Sequence, residues 1–128
     1  MGVAEILDRP TVVIVDDDPA LCAALRLSFE LDGLQVETFP SAEAMLAARE
    51  LPDSGCVVLD YRLPGANGLE LLRRLRQRGF ALPALLITTA PPPAVQEAAR
   101  REDVQIIEKP LLSNALRDAV HATLVQSA

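Results

Sequence analysis

The sequence predicts an α/β domain: a doubly wound parallel sheet of five strands with helices on both faces. Three observations carry that expectation. Short aliphatic runs alternate with helical patterns, strand then helix, five times in succession. The strand runs are rich in Val, Ile and Leu, as in strands buried on both faces. All ten prolines and nearly all the glycines fall between these periodic segments, where turns and caps need them. Such an alternation closes into a parallel sheet through right-handed crossovers.

Thr11-Val12-Val13-Ile14-Val15 is a β-branched run and hence the first strand. Asp18-Pro19 supplies an N-cap followed by Pro at the first helical position. Leu21, Ala24, Leu25 and Ser28 follow at helical spacing, and Asp32-Gly33 should end that helix. Leu34 to Phe39 reads as a more exposed strand, because Gln35 and Glu37 alternate with Val36. Ser41 caps a helix expected to reach about Leu51, and Pro52 to Gly55 is a loop. Cys56-Val57-Val58-Leu59 is the third strand, with Asp60 at its end and a Pro64-Gly65 turn soon after. Asn67 and Glu70 have capping-box spacing and open a helix with Leu69, Leu72 and Leu75 inward, ended by Gly79. Ala84 to Thr88 is the fourth strand, and Pro91-Pro92-Pro93 leads stiffly into a helix around Ala94 to Arg101. Val104 to Ile107 is the fifth strand, broken at Lys109-Pro110. Ser113 caps the last helix, whose Leu116, Ala119, Val120, Thr123 and Leu124 share one face.

A chain of 128 residues, half of them apolar, is the size of one compact domain. It is expected to divide into a leader over 1–10, a domain over 11–125 and a tail over 126–128, with no output domain in this chain. Aromatics make up only 3%, so the core must be aliphatic. A net charge of −6 and a pI near 4.7 argue against nucleic-acid binding by this domain. Residues 1–10 lack the basic start and apolar stretch of a signal peptide, and Ile6 stands where myristoylation needs Ser or Thr. No apolar run approaches membrane-spanning length. Cys22 and Cys56 fit neither a metal motif nor a disulfide framework and are expected to be reduced thiols, so a cytoplasmic protein is expected. Arg73, Arg74, Arg76 and Arg78 make the third helix basic, which is expected to be a solvated face and alternatively a docking patch for an acidic partner. His121, the one histidine, is expected at the surface or boundary of the last helix, without a ligand set around it.

In an open parallel sheet ligands bind at the carboxyl ends of the strands. The first strand ends in Asp16-Asp17-Asp18, the third in Asp60, the fourth in Thr88-Thr89 and the fifth in Glu108-Lys109. Each alone is unremarkable: an acidic run is usually a turn and cap, a lone lysine is usually solvated. Their joint occurrence at four strand ends is not. Clustered carboxylates repel unless a cation joins them, and hard oxygen ligands suit Mg²⁺, the usual companion of phosphate chemistry. Lys109 adds a point positive charge and Thr88 a hydroxyl donor. The set describes a site for a phosphoryl group beside Mg²⁺, carried covalently on Asp60.

The phrases Val13-Ile14-Val15-Asp16-Asp17-Asp18-Pro19, Leu59-Asp60-Tyr61-Arg62-Leu63-Pro64-Gly65-Ala66-Asn67-Gly68, Ile87-Thr88 and Ile107-Glu108-Lys109-Pro110 resemble the receiver domain of bacterial two-component response regulators. The resemblance covers about Thr11 to Leu124 with every motif in order. It implies a flavodoxin-like (CheY-like) fold with strand order 2-1-3-4-5 and five helices. It implies Asp60 as phosphoacceptor, fed by the phosphohistidine of a sensor histidine kinase or a phosphotransfer protein. It implies Mg²⁺ held by Asp17, by Asp16 mainly through water, by Asp60 and by the backbone carbonyl of Arg62. Thr88 and Lys109 would bond phosphoryl oxygens, and a cis peptide is expected before Pro110. Asp18 is read as the helix cap. Such a domain is a signalling module, an enzyme only toward its own phosphorylation and dephosphorylation. A homodimer or output partner is expected on the face formed by the fourth and fifth helices and the fifth strand.

Three departures bear on output. Ile106 stands where receivers usually carry the switch aromatic, three residues before the lysine. Thr89 occupies a position that is usually small in the family, and the proline triplet stiffens a loop that normally moves. Glu102-Asp103 replaces an Ala-Gly type of sequence. They leave open a degenerate receiver that acts as a phosphorylation-independent interaction module. A haloacid-dehalogenase-type phosphatase, nucleophile Asp16 and acid/base Asp18, is disfavoured: only Asp118 follows Lys109, and Pro19-Ala20 replaces the expected Gly/Thr.

Overall fold

The computed structural model describes residues 9–111 and 114–127, so Ser113 and most of the leader lie outside the described residues. Five strands, β1 (Thr11–Val15), β2 (Gln35–Phe39), β3 (Gly55–Asp60), β4 (Ala84–Thr88) and β5 (Gln105–Glu108), form one parallel sheet. The order is β2-β1-β3-β4-β5, as the family resemblance implies. Five helices connect and cover the strands: α1 (Pro19–Leu31), α2 (Ala42–Leu46), α3 (Gly68–Gln77), α4 (Pro93–Arg101) and α5 (Ala115–Ser127). A two-residue hairpin, Arg62–Leu63 against Ala66–Asn67, sits between β3 and α3.

The sheet separates two aliphatic cores. Val12, Ile14, Cys56, Val58, Leu85, Ile87 and Ile107 face α1 and α5, meeting Phe29, Leu116, Ala119 and Val120. Val13, Val15, Val57, Leu59 and Leu86 face the other way, toward Met45, Leu71, Leu72, Leu75, Val95 and Ala99 of α2, α3 and α4. Alternate residues of each central strand therefore serve opposite layers, which is why those strands read as unbroken apolar runs. Leu71, Leu72 and Leu75 are fully buried. Each such side chain contributes roughly 1.5–3 kcal/mol of burial.

Most caps are those the sequence implies. Asp18 Oδ1 accepts from the N–H groups of Ala20 and Leu21, and Ser41 Oγ from Ala44. Asn67 accepts from Glu70 N–H, while its own amide donates to the Glu70 carboxylate, closing the box through the side chain. Five details differ, the simplest being that β2 begins at Gln35 and not at Leu34. α2 stops at Leu46 instead of running to Leu51, because Pro52 bars helical backbone at Leu51 and Arg78 Nη1 caps the Leu46 carbonyl at 2.6 Å. Ala24 is exposed; the inward stripe of α1 is Leu21, Cys22, Leu25 and Phe29. β3 begins at Gly55 itself, paired with Thr11. A side chain there would run into the Thr11 backbone, and its φ of +131° is open only to glycine. β5 starts one residue late, since Asp103 (φ +58°) closes α4 in the left-handed conformation that a glycine often supplies.

Candidate functional site

Register brings the strand ends together. Val15 pairs with Leu59, Asp60 with Ile87 and Thr88 with Glu108, so Asp16, Asp60, Thr88 and Lys109 emerge along one edge. Asp16 (1% exposed), Asp60 (6%) and Thr88 (3%) are the polar residues that the core buries among those described. Asp17, one residue further, is exposed. Carboxylate oxygens of Asp16, Asp17 and Asp60 lie within 4.8 Å of one another. Lys109 Nζ stands 3.1 Å from Asp16 Oδ2 and 3.3 Å from Asp60 Oδ2, bridging the two.

The backbone holds these groups. Asp16 Oδ1 accepts from Asp18 N–H at 2.9 Å, and Asp60 Oδ1 from Arg62 N–H at 3.3 Å. Tyr61 N–H donates to the Ile87 carbonyl and Lys109 N–H to the Thr88 carbonyl, continuing the ladder past the strand ends. The Lys109–Pro110 peptide is cis, as expected. Burial, then the Asp16 charge, pushes the Asp60 carboxyl above its ordinary range, and Lys109 partly opposes that. Burial alone would lower the Lys109 ammonium; the two carboxylates outweigh it and raise the group. Three carboxylates against one ammonium leave the cluster two negative charges over. With hard oxygen donors on all three sides, the residues fit a small divalent cation such as Mg²⁺.

A response regulator receiver domain model matches residues 12–121. The chain belongs to that family. It is 40% identical over 114 residues to the C4-dicarboxylate transport transcriptional regulatory protein DctD of Pseudomonas aeruginosa, covering 88% of this chain and 25% of DctD. It is 38% identical over 118 residues to the transcriptional regulatory protein FixJ of Azorhizobium caulinodans, covering 91% of this chain and 56% of FixJ. The chain thus spans a quarter to a little over half of these relatives. Among solved structures it superposes on FixJ-N with a TM-score of 0.78 at 32% identity, covering 92% of this chain and 95% of that one. A CheY-like receiver from Methanospirillum hungatei, at 23% identity, shares the fold with a TM-score of 0.83. Receivers take a phosphoryl group from a kinase and generally bind Mg²⁺ at their aspartate cluster. Among the described residues no helix is long and apolar enough to cross a membrane.

Not every residue singled out in the sequence joins the site. Ile106 pairs with Leu86 on β5 and packs against the α2–α4 core. It also lines a groove of about 580 Å³ between α4, β5 and α5. Thr89 is exposed, and the next residue, Ala90, has φ +42°. The basic face of α3 is solvent-exposed at Arg73, Arg74 and the capping Arg78 and half-buried at Arg76, as expected; within it Arg73 pairs with Glu102 at 2.9 Å, Arg76 donates to the Phe80 carbonyl and Arg78 to that of Leu46.

Sequence reasoning missed two features. Gly68 opens α3 against β3; a Cβ there would lie 2.5 Å from the Asp60 carbonyl oxygen. Its place directly after Asn67 in a cap was the available signal. His121 is half-buried and partnered: Asp32, at the end of α1, accepts two bonds from Arg117 and lies 3.0 Å from His121 Nε2. No sequence spacing reports that contact across 89 positions.

Proposed function

We propose that Asp60 is the phosphoacceptor of this receiver, with the phosphohistidine of a sensor histidine kinase or phosphotransfer protein as donor. The observation that carries the reading is the buried Asp60 carboxylate, grouped with Asp16 and Asp17 and bridged to Asp16 by Lys109. An Asp60 oxygen attacks phosphorus, the phosphorus–nitrogen bond breaks, and the imidazole keeps the electron pair and takes up a proton. A nucleophile must be ionised, and Lys109 opposes the burial that favours the neutral acid. Lys109 and the Thr88 hydroxyl would bond phosphoryl oxygens, so few residues suffice for a transfer that is mostly positioning.

Asp16, Asp17, Asp60 and the Arg62 carbonyl are the proposed Mg²⁺ ligands. Bound there, the ion would neutralise charge on the carboxylates and on the incoming phosphoryl oxygens. The domain, residues 11–125, catalyses only its own phosphorylation and dephosphorylation. We propose that it works in the cytoplasm within a regulator of transcription, on the strength of the names of its relatives. The test is intact mass after incubation with Mg²⁺ and acetyl phosphate. One Mg²⁺-dependent, alkali-labile adduct is expected on the wild type and none on Asp60→Asn. A folded wild type that takes no adduct would sink the proposal.

A further inference from the structure

Helix α4 has little apolar hold on the domain. Of its nine residues only Val95 and Ala99 are buried, and its outer ion pairs, Glu97 with Arg100 and Arg101, are internal to the helix. Beyond Val95, Ala99 and the half-buried Ala98, which meet the core, polar contacts hold its two ends. At the first, Gln96 Nε2 donates to the Pro91 carbonyl at 2.9 Å; Pro91 is buried, and prolines at 91–93 fix φ through the entry to the helix. At the second, Glu102 accepts from Arg73 Nε of α3 at 2.9 Å with a carboxylate only 28% exposed. α3 cannot follow α4 easily: Leu69, Leu71, Leu72 and Leu75 are buried and Gly68 abuts the Asp60 carbonyl.

We propose that the Gln96–Pro91 and Arg73–Glu102 contacts clamp α4 in one position, phosphorylated or not, and that the change at Asp60 passes instead through Lys109 into α5. The proposal rests on the receiver reading above. Lys109 is the side chain that touches both buried carboxylates, and its backbone leads through Pro110-Leu111 to α5. Ile106, three positions earlier, has no ring to swing. α5 is held by Leu116, Ala119 and Val120 and by the bonds of Arg117 and His121 to Asp32. The exposed large apolar side chains, Leu27, Leu31 and Val125, lie on α1 and α5, with none on α4 among the described residues.

The test is amide hydrogen exchange of the chain with Mg²⁺, before and after acetyl phosphate, on protein whose adduct is verified by intact mass. Amides of 93–103 are expected to change less than about two-fold, and those of 114–121 about five-fold or more, since helices exchange through local opening. A change in α4 as large as that in α5 would overturn the proposal. In the double variant Arg73→Ala/Gln96→Ala, without phosphoryl donor, α4 amides should exchange roughly five-fold faster, the worth of two part-exposed polar contacts. Unchanged α4 exchange there would also overturn it. If no adduct forms the receiver reading fails, and the variant still judges the clamp by itself.

Discussion

Two ends of the same sheet edge are built by different physics. Where β1, β3 and β5 end, buried charges sit in a ladder of main-chain hydrogen bonds, and one ammonium bridges two carboxylates. Where β4 ends, a strained alanine and three prolines lead into a helix with two buried side chains. The first region is placed by strand register, in which alternate residues of each central strand serve opposite cores. The second is placed by side-chain contacts such as Arg73–Glu102, 29 positions apart. The site groups hang on the strand ends themselves, whereas α4 is tied to α3 by side chains.

The sharpest way to break that contrast is at Gly68, where register-built and helix-built parts meet. An added Cβ would stand 2.5 Å from the Asp60 carbonyl oxygen and 3.0 Å from Leu86 Cδ1. Neither backbone nor fully buried leucine yields cheaply in a close-packed core. Gly68→Ala is expected to cost about 2–4 kcal/mol in urea unfolding and to slow adduct formation on Asp60. A loss under about 0.5 kcal/mol would show that this close approach does not fix α3 to the site.

Two aspartates allow a subtler comparison. Burial and Asp16 raise the Asp60 carboxyl, so the folded state binds its proton more readily than the unfolded chain does. Its contribution to stability is present below the ordinary carboxylate range and is lost as pH rises through the raised value. Asp32 is the reverse: the hydrogen bonds of Arg117 and His121 hold it down to about 2 from 3.8, so its contribution is present above about 4 and lost between about 4 and 2. In chelator, Asp60→Asn should therefore melt higher than wild type at neutral pH, with the gain vanishing on acidification. Asp32→Asn should melt lower at neutral pH, converging with wild type toward pH 2. Thermal melts across pH check both, and parallel profiles for the two variants would overturn the contrast.

What was legible in the sequence follows the same line. The five strands, the caps at Asp18, Ser41 and Asn67, and the strand-end aspartates with Lys109 are short-range or register-determined features, so chain pattern alone exposed them. Asp32–Arg117–His121 and Arg78–Leu46 were not legible, because a surface arginine's partner depends on how helices lie across the sheet. The end of α2 was misplaced for that reason: Ala47, Ala48, Arg49 and Glu50 all favour helix, and the turn away at Leu46 is decided by Arg78 and Pro52. Glu102-Asp103 looked like a departure in sequence and is a working helix end in structure. Asp103 takes the left-handed conformation and frees Glu102 to meet Arg73.

The smallest effect lies in the β4–α4 connection, where strain can be removed without touching the site. Ala90 holds φ +42° on an exposed turn, a conformation that costs an L-residue roughly 1–2 kcal/mol and glycine little. Against this, glycine loses about 0.4–1 kcal/mol through the looser unfolded chain. Ala90→Gly should thus gain on the order of 0.5 kcal/mol, a rise of about 2 °C in Tm. Asp103→Gly should gain less, because aspartate tolerates φ +58° better than alanine does. A loss of stability in Ala90→Gly would mean that Ala90 helps to hold the entry to α4, and the prolines and Gln96 would no longer account for it alone.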